Sequence, residues 1–70
     1  MKTDQEHVKE LQAKGLTVID GGQKTVKGLP SIHGIKGLKH LGFGYFADDK
    51  HNYDRADSPK GTRFYIRRPK

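Results

Sequence analysis

The shortage of apolar side chains constrains this chain more than any other feature. Only 31% of its 70 residues are hydrophobic, and the mean hydropathy is −0.90. A chain of this length buries only about 60% of the surface that its unfolded form exposes. We therefore expect one small basic domain over residues 1–70, with a thin core and with binding on an exposed face.

The same composition argues against several classes of protein. No apolar run approaches the roughly 20 residues of a membrane span, and residues 1–6 lack the apolar core of a secretory signal. The chain has no cysteine, so disulfides and thiolate zinc sites are excluded. The sequence offers no catalytic set of a nucleophile, a general base and a residue that orients the base. We predict a cytoplasmic protein that is not an enzyme, with no membrane partner, cofactor or metal.

Charge is distributed unevenly along the chain. The net charge is +6; residues 21–47 contain four Lys and no acid, and residues 59–70 contain five cations and no acid. Four Asp lie between these blocks, at 48–57. Because basic fields attract polyanions, this pattern favours a nucleic-acid partner.

The N-terminal third predicts a helix followed by a strand. Residues 3–6 read Thr-Asp-Gln-Glu, which fits a capping box, so we predict a helix over 4–14. The β-branched residues of 16–20 predict a strand that ends at the turn dipeptide Gly21-Gly22. Residues 23–27 fit either a returning strand or a short helical turn, because they hold a single apolar side chain.

A second helix is predicted over residues 31–41. Its apolar residues recur every third position, and Ser31 is a suitable N-cap and Gly42 a suitable terminator. The apolar positions are Ile32, Ile35, Leu38 and Leu41.

Two aromatic-rich strands are predicted at 43–47 and 62–68, joined by a long polar hairpin loop over 48–61. In the second strand, alternation places Phe64 and Ile66 in the core. The same alternation places Arg63, Tyr65 and Arg67 on the opposite, solvent-facing side.

These elements predict an α+β fold with two short helices packed on an antiparallel sheet or hairpins. If residues 23–28 are helical, the element order resembles that of a winged-helix domain. A strand at 23–27 instead gives a sheet of four short strands.

Two short stretches resemble known nucleic-acid motifs. Gly34-Ile35-Lys36-Gly37 resembles the G-x-x-G loop with which KH domains clamp a nucleic-acid backbone. Residues 54–61 are similar to the D-R-x-D-x-x-K-G stretch of phage HNH-type homing endonucleases. The metal-binding helix that follows in those enzymes is missing here, so we interpret 54–61 as a stretch of turn-forming residues.

We hypothesise a small nucleic-acid-binding protein that acts in transcription regulation or as another accessory factor, with DNA favoured over RNA. Helix 31–41 and strand 62–70 would contact phosphates. The predicted contact residues are Lys36, Lys39, His40, Tyr45, Lys60, Arg63, Tyr65, Arg67 and Arg68. The alternative is a protein-binding inhibitor or adaptor, of the kind phages encode, that acts on a larger enzyme through Phe43–Phe46 and the acidic loop 48–57.

Overall fold

The computed structural model describes residues 2–70, which form one helix and a five-stranded antiparallel sheet. The elements are α1 (Asp4–Ala13), β1 (Thr17–Asp20), a 3₁₀ turn (Ile32–Gly34), β2 (Lys39–Gly42), β3 (Tyr45–Ala47), β4 (His51–Arg55) and β5 (Phe64–Pro69). The strand order is β1-β5-β4-β3-β2, so β1 and β2 are the edge strands. Among residues 2–70, no helix has the length and apolar character to cross a membrane.

The predicted N-terminal helix is confirmed. Thr3 accepts a hydrogen bond from the Glu6 backbone N–H, and the Glu6 side chain accepts one from the Thr3 N–H, which completes the capping box. Beyond the helix, Gly15 adopts a φ of +82°, a conformation that costs glycine least. The helix rests on the sheet through Val8, which is buried.

The strand predicted at 16–20 is confirmed as β1, but residues 23–27 form neither a strand nor a helix. The partner of β1 is instead β5, from the far end of the chain. The buried carboxylate of Asp20 accepts hydrogen bonds of 3.1 and 3.2 Å from the Lys24 N–H. These bonds close a turn directly after β1, at the place where a returning strand was one of the two expectations.

The helix predicted over 31–41 is wrong. A 3₁₀ turn at Ile32–Gly34 is followed by extended backbone at Ile35 (φ −89°, ψ 123°), and the segment then enters β2. Gly37 has a φ of +73°, which an α-helix does not accommodate. The period of three instead reflects an irregular strap, residues 31–38, whose Ile and Leu side chains pack on the sheet.

The long loop predicted over 48–61 is also wrong, because it contains β4. The strand has one inward apolar side chain, Tyr53, between the polar residues Asn52 and Asp54. That alternation gives a half-buried strand despite its low hydropathy. A polar turn does follow at 58–62, closed by Gly61 N–H to the Ser58 carbonyl at 2.8 Å and by a φ of +85° at Gly61.

The sheet is buried on both faces near β1 and β5. On one face Val8 of α1 packs with Val18 and Phe64, and on the other face Ile32 of the strap packs with Ile19, Tyr53 and Tyr65. The predicted fold class, two helices packed on a sheet and its winged-helix version, is therefore wrong. The described chain is mostly sheet, with one helix and one 3₁₀ turn.

Candidate functional surface

One face of the sheet is left open beyond the helix. Four residues lie in register across four strands: Lys39 opposite Ala47, Ala47 opposite Asn52, and Asn52 opposite Arg68. Directly paired residues of antiparallel strands project to the same side, so all four share one face. With strands about 4.8 Å apart, the row spans about 14 Å. Lys39, Asn52 and Arg68 are exposed.

Tyr45 and Asp54 complete this surface, which we call the open sheet face. Tyr45 lies two residues before Ala47 on β3 and is 45% exposed. Asp54 forms an ion pair of 2.8 Å with Arg68, from its carboxylate to the Arg68 Nε. Lys39 is therefore the cation of this face with no acidic partner among the described residues.

A second basic surface lies at the end of the sheet where β5 begins. The Arg63 N–H donates a hydrogen bond of 2.6 Å to the Gln23 side chain, and the Gly21 N–H donates one of 3.0 Å to the Arg63 carbonyl. These bonds bring the two acid-free blocks of the sequence together. We call Lys24, Lys60 and Arg63, all exposed, the basic end.

Three other predicted contact residues lie on the strap side of the sheet. His40 stacks on Phe46 with ring centroids 4.8 Å apart. Tyr65 is 2% exposed and belongs to the core, so it cannot present its ring to a partner. The predicted exposure of Tyr65 is wrong because both faces of β5 are covered at this position. Arg67 is half-buried and packs over the Tyr53 ring, its guanidinium carbon 5.5 Å from the ring centroid.

Arg67 belongs to a chain of hydrogen bonds that is part of the core. Its Nε donates to the Tyr53 hydroxyl at 3.2 Å, and that hydroxyl donates to Asp48 at 2.7 Å. This bond and the N–H groups of Lys50 and His51 lower the pKa of Asp48 from 3.8 to about 2. Burial and the Asp48 carboxylate raise the pKa of Tyr53. The charge of Arg67 is thus engaged inside the protein.

Lys36 lies apart from the other predicted residues. It is exposed in the turn before β2 and borders a shallow depression together with Gly37 and residues 48–51. The nine predicted contact residues therefore do not form one surface. The structure brings Lys39, Tyr45 and Arg68 together on one face and Lys60 and Arg63 together at one end.

The hairpin that joins β2 and β3 carries the most exposed apolar side chains described. Leu41 is 59% exposed and Phe43 94%. Phe43 has a φ of +54° and lies between Gly42 (+88°) and Gly44 (+81°). The Arg55 side chain lies across Gly44, so that a Cβ there would be 2.5 Å from the Arg55 Cδ. The tip is thus backed by β4.

The acidic residues of the chain are mostly engaged within it. Six of the eight carboxylates accept hydrogen bonds from other residues of the described chain, Asp54 forms an ion pair with Arg68, and the exception is Asp49. By contrast, only three of the fourteen Lys and Arg side chains form ion pairs with acids in residues 2–70: Lys2, Arg55 and Arg68. The charged groups left facing solvent are therefore predominantly cations.

Sequence reasoning placed Asn52 and Asp54 in a loop and Leu41 among the apolar positions of a helix, so it did not assign these three residues to the surface of a sheet. The alternation of Asn52, Tyr53 and Asp54 was the available signal for β4. No group of three His, Cys, Asp or Glu side chains within residues 2–70 is placed to hold a metal ion. The chain matches no protein-family model, and comparison with curated proteins and with solved structures finds no significant match.

Proposed function

We propose that the protein binds nucleic acid through the open sheet face and acts as an accessory or regulatory factor. The observation that carries the proposal is the in-register row from Lys39 to Arg68, with the exposed ring of Tyr45 beside it. Cations neutralise phosphates, amides such as Asn52 bond base edges or phosphates, and aromatic rings stack on bases.

The overall charge supports the same proposal. The net charge of +6 leaves an excess of exposed Lys and Arg side chains over exposed carboxylates. Such a field accelerates encounter with a polyanion and strengthens binding at low salt. The basic end would then hold backbone that extends beyond the open sheet face. A cytoplasmic location and the preference for DNA over RNA belong to this proposal.

A titration of fluorescently labelled oligonucleotides across a salt series tests the proposal. For an oligonucleotide too short to reach the basic end, the two phosphate contacts at Lys39 and Arg68 predict a slope of log K against log salt of about −1.4 for a single strand. Dissociation constants weaker than about 10⁻⁴ M at physiological salt, for DNA and RNA alike, would overturn it.

Two charge-matched variants locate the interface. Lys39→Glu removes a cation from the open sheet face, and Lys9→Glu makes the same change on the exposed side of α1. We expect Lys39→Glu to weaken binding about tenfold or more and Lys9→Glu to weaken it much less. Equal losses would assign the binding to net charge instead of to this face.

A second candidate function is protein binding at the β2–β3 hairpin. Exposed Leu41 and Phe43 favour it, because apolar anchors dominate protein interfaces. Two residues that were expected to contact such a partner instead make contacts within the fold. The Phe46 ring packs edge-on against the Tyr65 ring, with centroids 5.2 Å apart, and Asp48 accepts a hydrogen bond from Tyr53. We therefore place this function second.

A further inference from the structure

We infer that the β2–β3 hairpin tip selects unpaired nucleic acid by stacking bases on Phe43 and Tyr45. This inference rests on the proposed function and adds the class of ligand. It starts from Phe43, whose side chain is 94% exposed at the point where the hairpin turns.

Phe43 is unfavourable in the free protein for two independent reasons. Its φ of +54° is a conformation that bulky side chains rarely adopt, and Asn or Gly is the ordinary residue in such a hairpin turn. Its ring is also left in water. Phe43 therefore costs stability in both ways, and no contact in the fold compensates for it. Such residues are expected at binding sites, where a ligand covers the side chain.

The surroundings of the tip indicate what that ligand is. The rings of Phe43 and Tyr45 are exposed two residues apart, and Lys39 lies at the start of the same hairpin. Two exposed rings at the tip, with Lys39 four residues before Phe43 along β2, suit a run of unpaired nucleotides whose bases stack at the tip and whose backbone extends to Lys39. A wholly apolar partner would leave the charge of Lys39 without a counterpart.

An unpaired strand fits better than a duplex. Base faces are hidden in a duplex, where recognition uses polar groups on base edges. A two-stranded ribbon can enter the major groove, but Phe43 at its tip has no donor or acceptor to offer there.

Arg55 contributes by holding the tip in place. Its side chain crosses Gly44 and pairs with Asp57 at 2.5 Å, so β4 supports the hairpin from behind. The stacking ring is therefore presented on a fixed turn, which lowers the ordering cost of binding.

The test compares an unpaired oligonucleotide with its own duplex. We expect the wild-type chain to bind the single strand at least tenfold more tightly than the duplex at the same salt concentration. Phe43→Asn should cut single-strand affinity about tenfold while leaving the melting temperature unchanged or higher, because Asn tolerates the positive φ. A binding loss without a stability loss cannot be attributed to misfolding.

Leu41→Ser is the matched control, since it removes an exposed apolar side chain that cannot stack. We expect it to change the affinity less than threefold, and Phe43→Trp to preserve binding. Duplex binding as tight as single-strand binding, with Phe43→Asn harmless, would overturn this inference and leave the proposed function standing. Equal losses in Leu41→Ser and Phe43→Asn would also overturn it, in favour of general apolar docking. No binding to any oligonucleotide would overturn both proposals.

Discussion

The hydroxyl of Tyr53 donates a hydrogen bond of 2.7 Å to the carboxylate of Asp48, which opens the turn between β3 and β4. The same carboxylate accepts the backbone N–H groups of Lys50 and His51 at 2.9 and 2.7 Å. A buried ring in the centre of the sheet is thereby tied to the turn that positions β4. The register of Asn52 and Arg68 on the open sheet face depends on that turn.

We predict that Tyr53→Phe destabilises the fold by about 0.5–1.5 kcal/mol, the net value of a typical hydrogen bond. The ring still fills the core, so the loss reports the hydroxyl alone. Urea unfolding measures it. Tyr45→Phe, which removes an exposed hydroxyl, is the control and should stay within about 0.5 kcal/mol of the wild type. Equal effects would contradict the role given to the bond between Tyr53 and Asp48.

The low pKa of Asp48 predicts a loss of stability in acid. Folding lowers its pKa from 3.8 to about 2, so the folded state favours the ionised form. The contribution is complete above about pH 4 and is lost as the pH falls through 2. Urea unfolding at several pH values checks this on wild type and Asp48→Asn.

The difference in stability between the two chains isolates Asp48, because Asp4 and Glu10, whose pKa values are also lowered, titrate in both. The difference in unfolding free energy between wild type and Asp48→Asn should become smaller between pH 4 and pH 2. A difference that does not change with pH would contradict the hydrogen-bonded carboxylate.

Two glycines test the packing of the irregular segment that follows β1. Neither Gly21 nor Gly34 has a positive φ, but a Cβ at Gly21 would overlap the Arg63 carbonyl oxygen, whereas one at Gly34 would meet nothing within 4 Å. We expect Gly21→Ala to cost about 1–3 kcal/mol and Gly34→Ala to be neutral or slightly stabilising. Thermal unfolding of both variants measures this, and comparable stabilities would contradict the close approach of Gly21 to β5.

The elements that local rules predicted are those that local interactions determine. The capping box of Thr3 and Glu6 and the β-branched run of β1 act within a few residues, and both were predicted correctly. The strap shows the limit of such rules. Ile32, Ile35 and Leu38 repeat at a helical period, but the φ of +73° at Gly37 and the packing against Tyr53 and Tyr65 override it.

The candidate surface was predictable only in part, for a related reason. Residue type and charge put Lys39, Tyr45 and Arg68 in the predicted set, and the structure places these three on one face of the sheet. Their proximity depends on β4 lying between β3 and β5, and β4 was concealed by its polar composition. Tyr65 was misplaced because its exposure depends on the strap, which is distant in sequence.

We predict that Asp54→Asn tightens nucleic-acid binding by about fivefold at low salt. It removes the carboxylate that pairs with Arg68 and leaves that guanidinium free for a phosphate. The exposed ion pair contributes at most about 1 kcal/mol to stability, so the fold should tolerate its loss. Glu10→Gln, which breaks the exposed pair with Lys2 on α1, makes the same change in net charge. Anisotropy titrations should show a gain for Asp54→Asn well above that for Glu10→Gln, and equal gains would assign the effect to net charge.

The most direct test is a map of backbone amide shifts recorded while a short single-stranded oligonucleotide is added to the labelled protein. Binding at the open sheet face predicts that the largest shifts fall in residues 39–47, 52–54 and 66–70, with smaller changes at 60–63. Shifts confined to the strap at 31–38 or to α1, or no shifts at millimolar oligonucleotide, would contradict the assignment of nucleic-acid binding to this face.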